Sequence, residues 1–169
     1  MVRRPGLPLL FALALAAGEA GPAAAATQNA TVTANVVRPL TLTSVQNLDL
    51  GTITLGLGTW SDAVVGISQA GAFSCSTDVV CTGAPQVAKY KVTGSNKMVV
   101  LISAPNVTLV DAADPTQKLT LVVDSPKQVT LTSSGEPGVT FPIGGSITIS
   151  STTATGDYTG TFDVTVDYQ

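Results

Sequence analysis

The chain has 169 residues, of which 8 are basic and 11 acidic, giving a formal net charge of −3, and it contains no histidine. This weakly acidic balance argues against nucleic acid, whose phosphates require clustered Lys and Arg, and against an anionic membrane surface. Because histidine is the commonest general base and the commonest transition-metal ligand, its absence leads us to expect neither an enzyme nor a cofactor or metal.

The first element is a secretory signal at residues 1–26. Two arginines near the start form a short basic region, an apolar stretch runs from Leu7 to Ala17, and small residues lead to an A-x-A-like site. The apolar stretch is too short to span a bilayer, so we expect cleavage after Ala26 or Ala25. The exported chain would keep six basic and ten acidic residues, a net charge of −4, with no transmembrane segment.

Residues 27–38 form an N-terminal extension with the alternation of a strand. In "ATVTANVV", Val32, Ala34 and Val36 share one face, and polar residues occupy the other. Pro39 has no N–H group to donate, so it interrupts the ladder and hinges the extension from the body. Such a strand either completes its own sheet or is donated to a neighbour, and the pattern alone favours neither.

The body, residues 39–169, is predicted to be a single all-β domain. It consists of short alternating or apolar runs separated by Gly, Pro, Asn and Asp, with no helical periodicity. The predicted strands are Leu40–Val45, Leu48–Leu55, Val87–Thr93, Met98–Ser103, Val107–Val110, Lys118–Val123, Gln128–Leu131, Val139–Ile143, Ser146–Ser150 and Tyr158–Tyr168, preceded by Ala30–Val37. Strands this short and numerous predict an antiparallel β-sandwich or barrel. We expect Gly144 and Gly145 to form the tight turn of a hairpin.

The only two cysteines, Cys75 and Cys81, lie close together in "CSTDVVC". In an exported protein such a pair most often forms a disulfide, and closing so short a loop stabilises by about 2 kcal/mol in the chain-entropy model. A metal or redox pair is the alternative, but the chain has neither a C-x-x-C spacing nor a second cysteine pair. We therefore predict a structural disulfide that pins a loop.

The last segment, "GDYTGTFDVTVDYQ", alternates most regularly. Phe162, Val164, Val166 and Tyr168 share one face and polar residues share the other, which predicts one buried face and one wet face. Gly160 within this strand marks a bulge or a close approach of another backbone.

Two further features have competing interpretations. Asp111 and Asp114 in "DAADP" could bind calcium with nearby carbonyls, but an Asp-capped turn bent at Pro115 is the commoner structure for this pattern. Trp60 could stack on a sugar, although a single Trp beside a loop is more often part of a core.

Three stretches together resemble a known family: "TVTANVVRPLTLTSVQNLDLGTI", "FPIGGSITI" and "GDYTGTFDVTVDYQ". They resemble the secreted bacterial proteins grouped as domain of unknown function 4402, and also the fimbrial subunits assembled by chaperone and usher. The resemblance extends over nearly the whole exported chain. It implies an immunoglobulin-like β-sandwich that lacks its final strand.

The resemblance also implies roles for particular positions. The donor strand would be Val32, Ala34 and Val36, the turn after the first strand Leu48, Leu50 and Gly51, and the acceptor core strand Phe162, Val164, Val166 and Tyr168. The partners implied are other copies of the chain or related subunits, a periplasmic chaperone and an outer-membrane usher. Two departures bear on polymerisation: pilins often place a cysteine near Leu40, and Leu50 stands where their turn has Phe.

We therefore expect a structural subunit of a cell-surface fimbria, pilus or coat, which passes through the periplasm and assembles by donor-strand exchange. The alternative is a self-contained secreted adhesive or carbohydrate-binding module whose contact surface includes Trp60.

Overall fold

The computed structural model describes residues 27–169. The chain divides into two compact units, Met1–Ala34 and Asn35–Gln169. In residues 27–34, the described part of the first unit, every side chain is exposed and no residue belongs to a strand. The predicted signal at residues 1–26 lies outside the described residues. Within the described part of the chain, no helix is long and apolar enough to cross a bilayer.

The second unit is built from strands. They are β1 (Thr41–Gln46), β2 (Thr52–Leu55), β3 (Ala63–Ile67), β4 (Phe73–Cys75), β5 (Val79–Thr82), β6 (Ala88–Thr93), β7 (Val99–Ser103), β8 (Val107–Asp111), β9 (Lys118–Asp124), β10 (Gln128–Thr130), β11 (Val139–Ile149), β12 (Tyr158–Thr159) and β13 (Thr165–Tyr168). The predicted all-β class is confirmed. Among residues 27–169, no strand forms at the predicted position Ala30–Val37.

The strands form three antiparallel sheets. The largest has eight strands in the order β1-β6-β11-β9-β8-β12, with β3 beside β11 and β4 beside β3. A second sheet has the order β10-β7-β13, and β2 pairs with β5 in a two-stranded ribbon. Within the second unit these sheets curl into a half-barrel.

The longest strand, β11, connects most of the large sheet. Its first half, Val139–Ile143, pairs with β6, and its second half pairs with β3. Residues Gly144 to Ile147 pair with β9 at the same time. The hairpin turn predicted at Gly144 and Gly145 is therefore wrong, because the strand continues through both glycines and neither has a positive φ. A side chain at Gly144 would collide with the backbone of Ile67, so close backbone approach explains the glycine.

The core consists of two clusters of buried side chains. The first cluster contains Ala88, Val92, Val100, Ile102, Leu131, Phe141 and Ile143. The second cluster contains Ala63, Val65, Val79, Leu121, Ile147 and Ile149. Three half-buried residues, Leu48, Val123 and Phe162, pack against both clusters and connect them. Burial of these apolar side chains stabilises the fold by about 1.5 to 3 kcal/mol for each large one.

In the last segment, the strand pairing differs from the prediction, but the buried face is the predicted one. It splits into β12, which pairs with β8, and β13, which pairs with β7 in another sheet. Burial still alternates from Phe162 to Tyr168, so the predicted inner face is confirmed. A Cβ built at Gly160 would lie 3.0 Å from the carbonyl oxygen of Thr108, which confirms the predicted close backbone approach.

The predicted disulfide between Cys75 and Cys81 is present, with the two Cα atoms 6.3 Å apart. Cys75 ends β4, which belongs to the eight-stranded sheet, and Cys81 lies in β5 of the two-stranded ribbon. The disulfide therefore does more than close a loop, because it joins two different sheets.

Candidate functional site

The predicted donor segment is exposed. The side chains of Val32 and Val36 are 90% and 89% exposed, and Ala34 between them is also exposed. Apolar side chains with this exposure gain nothing from the hydrophobic effect. The alternation of the segment, by contrast, is the pattern of a strand with one buried face. The segment thus has the sequence of a paired strand and, within residues 27–169, no paired neighbour.

The end of this segment is held in place. The backbone N–H of Arg38 donates a hydrogen bond to Ser95 Oγ at 2.7 Å, and its carbonyl accepts one from the hydroxyl of Tyr168 at 2.7 Å. The N–H of Ser95 donates in turn to the hydroxyl of Tyr168 at 2.8 Å. These contacts place Arg38 beside the last strand, β13.

The four predicted acceptor residues all lie on the inner side. Phe162, Val164, Val166 and Tyr168 are half-buried and pack against the first core cluster. Phe162 and Val164 fall between β12 and β13, whereas Val166 and Tyr168 belong to β13. Within the described chain β13 pairs only with β7, so its other edge is free.

A groove of about 630 Å³ opens elsewhere, between β2 and β12. Two segments line the groove, β2 with the turn before it and Thr153–Gly160, which includes β12, and we call them its walls. Other lining residues are Leu109 and Leu119, which are half-buried, and Leu121, Ile147 and Ile149 of the second core cluster; we call these five the floor. We call this feature the β2–β12 groove.

Both walls of the β2–β12 groove carry a free strand edge. Among the described residues, β2 pairs only with β5 and β12 only with β8. A free edge presents a row of unpaired N–H and C=O groups, which is a template for another strand. The two walls therefore supply unpaired backbone groups to a groove that is also lined by apolar side chains.

Comparison with known proteins assigns the chain to a family. The family model described as "Domain of unknown function (DUF4402)" matches residues 40–168, which include every strand of the half-barrel. The chain belongs to the DUF4402 family. No curated protein and no solved structure matches the chain. The predicted membership is confirmed, and the segment Ala30–Val37 precedes the matched part of the DUF4402 domain.

Only one of the four predicted acceptor residues lines the β2–β12 groove of this DUF4402 domain. That residue is Phe162, and Val164, Val166 and Tyr168 lie outside the lining. Leu48, Leu50 and Gly51, which the resemblance matches to a turn, do line the groove, and Gly51 has a φ of +76°. The sequence predicted strands at Leu48–Leu55 and Tyr158–Tyr168. It did not predict that residues of both would line one groove.

The acidic loop of the DUF4402 domain is a turn. Asp114 accepts hydrogen bonds from the N–H and the hydroxyl of Thr116 at 3.0 and 2.7 Å, and these bonds hold the pKa of Asp114 below its usual value. Asp111 is buried and accepts a bond from the N–H of Ala113 at 3.2 Å. Burial, followed by the charge of Asp111, raises the pKa of Tyr158. The turn interpretation of this loop is confirmed.

Trp60 of the DUF4402 domain is half-buried against the second core cluster. Its indole N–H donates to the carbonyl of Gly56 at 3.3 Å, and its backbone N–H donates to Ser151 Oγ at 3.3 Å. Part of the ring is therefore used for packing, which is the core role that the sequence favoured over sugar stacking.

Proposed function

We propose that the protein is a structural subunit of a cell-surface fimbria or coat and that its copies assemble by strand donation. The observation that carries this proposal is the exposed alternating segment Ala30–Val37, in which Val32 and Val36 are 90% and 89% exposed. A segment with one apolar face lowers its free energy when that face is covered and its backbone is paired. Addition to the sheet of another copy does both.

The open half-barrel supports the same function. Strand addition requires a receiving domain with unpaired edges, and among the described residues several strands lie at a sheet edge, β2, β12 and β13 among them. Exposed edges favour association between chains unless they are blocked by charge, Pro or a covering segment. The free edges and the apolar segment together form a donor and an acceptor in one chain.

The finer form of the fold is part of the proposal. We infer an immunoglobulin-like, pilin-like sandwich that is incomplete in one copy and completed by its neighbour. Two core clusters joined by Leu48, Val123 and Phe162 agree with layers that pack face to face.

The proposal includes a route and partners. The predicted signal directs the chain out of the cytoplasm, and a periplasmic chaperone covers the acceptor until an outer-membrane usher adds the subunit to the growing structure. A low content of charged residues, 11% of the chain, agrees with a surface that packs against identical neighbours. The final location is the cell surface.

The test is a paired substitution in the donor segment. In cells that make the protein natively, Val32→Asp with Val36→Asp should abolish the ladder of subunit multiples seen when sheared surface material is run unboiled on an SDS gel. Two carboxylates on the inner face cannot be buried without partners, so donation fails while the exposed segment leaves the body folded.

The matched control places the same two charges on the other face. Thr33→Asp with Asn35→Asp should keep the ladder, because these side chains face solvent in a donated strand. Boiling should collapse the ladder to the monomer in both the natural chain and the control. A ladder that persists in the Val32→Asp, Val36→Asp chain contradicts the proposal.

A further inference from the structure

We propose that the acceptor site is the β2–β12 groove and that its occupant is the segment Ala30–Val37 of a second copy of the chain. This inference rests on the proposed function and adds a location that differs from the one expected from the sequence, the face of Phe162 to Tyr168. It also names which strands of the receiving copy flank the donor.

Backbone geometry is the first argument. An inserted strand is stabilised by backbone partners along its edges, and the groove is lined by two strands with a free edge among the described residues, β2 and the two-residue β12. The wall formed by β2 covers the four residues Thr52–Leu55. Because a strand rises about 3.3 Å per residue, the five residues from Val32 to Val36 match this wall in length.

Side-chain chemistry is the second argument. The donor presents Val32, Ala34 and Val36 on one face, and the groove floor is made of Leu and Ile side chains. Thr31 and Thr33 lie on the other face of the donor. Exposed threonines on both walls, Thr54 and Thr159, continue this polar outer surface. Inserted in this way, the donor has its apolar face on the floor and its polar face in water.

Charge is the third argument, and it favours this occupant over an acidic peptide. Two carboxylates, Asp49 and Asp157, line the groove, and no Lys or Arg does. The segment Thr27–Val37 carries no charged side chain, and the residue that follows it is Arg38. An uncharged strand followed by a cation suits an acidic rim, whereas a negatively charged ligand would be repelled.

The free edge of β13 is the competing position. At the end of β13, the hydroxyl of Tyr168 is already bonded to the carbonyl of Arg38, so part of the same copy lies beside this strand. Strand β13 also offers a single free edge, whereas the β2–β12 groove is lined by two strands that each have one among the described residues. The groove is therefore the better receiver.

Cysteine cross-linking in assembled material tests the location. Chains carry one donor cysteine, Thr33→Cys, together with one acceptor cysteine at Thr54→Cys in β2, Thr159→Cys in β12 or Thr165→Cys in β13. All three acceptor positions are exposed threonines in strands, so Thr165→Cys is a matched control. Thr31→Cys and Asn35→Cys replace Thr33→Cys in parallel sets so that any register of the donor is sampled.

The readout is an SDS gel of sheared surface material, boiled without reductant. The expected result is a covalent ladder with Thr54→Cys or Thr159→Cys and only monomer with Thr165→Cys. A covalent ladder with Thr165→Cys alone would place the donor on β13 and overturn the groove, while strand donation itself would stand. The groove is also overturned, and strand donation again stands, if unboiled material shows a ladder but no pair of donor and acceptor cysteines gives a covalent ladder after boiling.

Two other outcomes separate this inference from the proposed function. If the protein runs as a monomer and its two engineered cysteines have formed a disulfide with each other, the segment occupies the groove of its own copy. That result overturns intermolecular insertion. Absence of a ladder even in unboiled material from the natural chain would overturn the proposed function and the groove with it.

Discussion

The hydroxyl of Tyr168 connects three segments that are distant in the sequence. It accepts a hydrogen bond from the N–H of Ser95 in the loop after β6 and donates one to the carbonyl of Arg38 before β1. Tyr168 thus links the last strand both to the loop after β6 and to the residue before β1. The ring packs against the first core cluster, and the hydroxyl forms hydrogen bonds with two backbone groups. Phe could reproduce the packing of the ring but not these hydrogen bonds.

Tyr168→Phe should lower the free energy of unfolding by about 1 kcal/mol, because it removes the hydrogen bond to the half-buried N–H of Ser95 and the one to the exposed carbonyl of Arg38, where water can substitute. The measurement is urea unfolding followed by far-UV circular dichroism. Tyr158→Phe is the matched comparison, since the hydroxyl of Tyr158 makes a single bond, to the carbonyl of Ala154 at 2.9 Å. Equal losses in the two variants would show that the double contact of Tyr168 contributes nothing.

At the scale of elements, two glycines in β11 allow this one strand to pair with three others. The strand pairs with β6 in its first half, with β3 in its second half and with β9 across the middle. At the change of partner, a Cβ on Gly144 would meet the backbone of Ile67, Ser68 and Gln69. A Cβ on Gly145 would instead lie 3.0 Å from the side chain of Leu121 and 3.2 Å from the carbonyl oxygen of Val122, which is less close than the contacts at Gly144.

Gly144→Ala should therefore destabilise the domain much more than Gly145→Ala. We expect a loss of about 2 to 4 kcal/mol for Gly144→Ala, because the backbone of the neighbouring strand must move. The loss for Gly145→Ala should be about 1 kcal/mol, since Leu121 and the carbonyl of Val122 need to move only slightly and the lower entropy of the unfolded chain offsets part of the cost. Thermal and urea unfolding of both variants provides the comparison, and a smaller loss for Gly144→Ala would contradict the close backbone approach.

At the scale of the whole second unit, the half-barrel is held together by packing between sheets and by one covalent tie. The Cys75–Cys81 bond joins β4 of the large sheet to β5 of the ribbon. The ribbon partner β2 forms a wall of the β2–β12 groove. The disulfide thus fixes the position of that wall relative to the sheet that carries the floor.

Replacing both cysteines, Cys75→Ser with Cys81→Ser, should lower the free energy of unfolding by about 2 kcal/mol through the greater freedom of the unfolded chain. Hydrogen exchange should also accelerate first in β2 and β5, because the ribbon loses its tie to the large sheet. Wild-type protein in reductant is the control and should show the same changes. Exchange that accelerates uniformly over the domain would argue against a local tether.

Some features of this protein follow from local pattern. The inner face of Phe162 to Tyr168 was predictable because side chains in extended backbone alternate with a period of two, whatever the strand pairs with. The positions of β6 to β9 were predictable from apolar runs bounded by turn residues. The strands β3, β4 and β5, of five, three and four residues, were missed.

By itself, the sequence determined an all-β chain, the buried face of its last segment and the Cys75–Cys81 pair, because each depends on alternation or on short separation along the chain. Only the tertiary structure decided that β11 runs straight through Gly144 and Gly145, that the last segment divides between two sheets, and that β2 and β12 line one groove. These features depend on which strands meet after long stretches of intervening chain. Local side-chain patterns do not specify such pairings, since any extended segment offers the same backbone donors and acceptors.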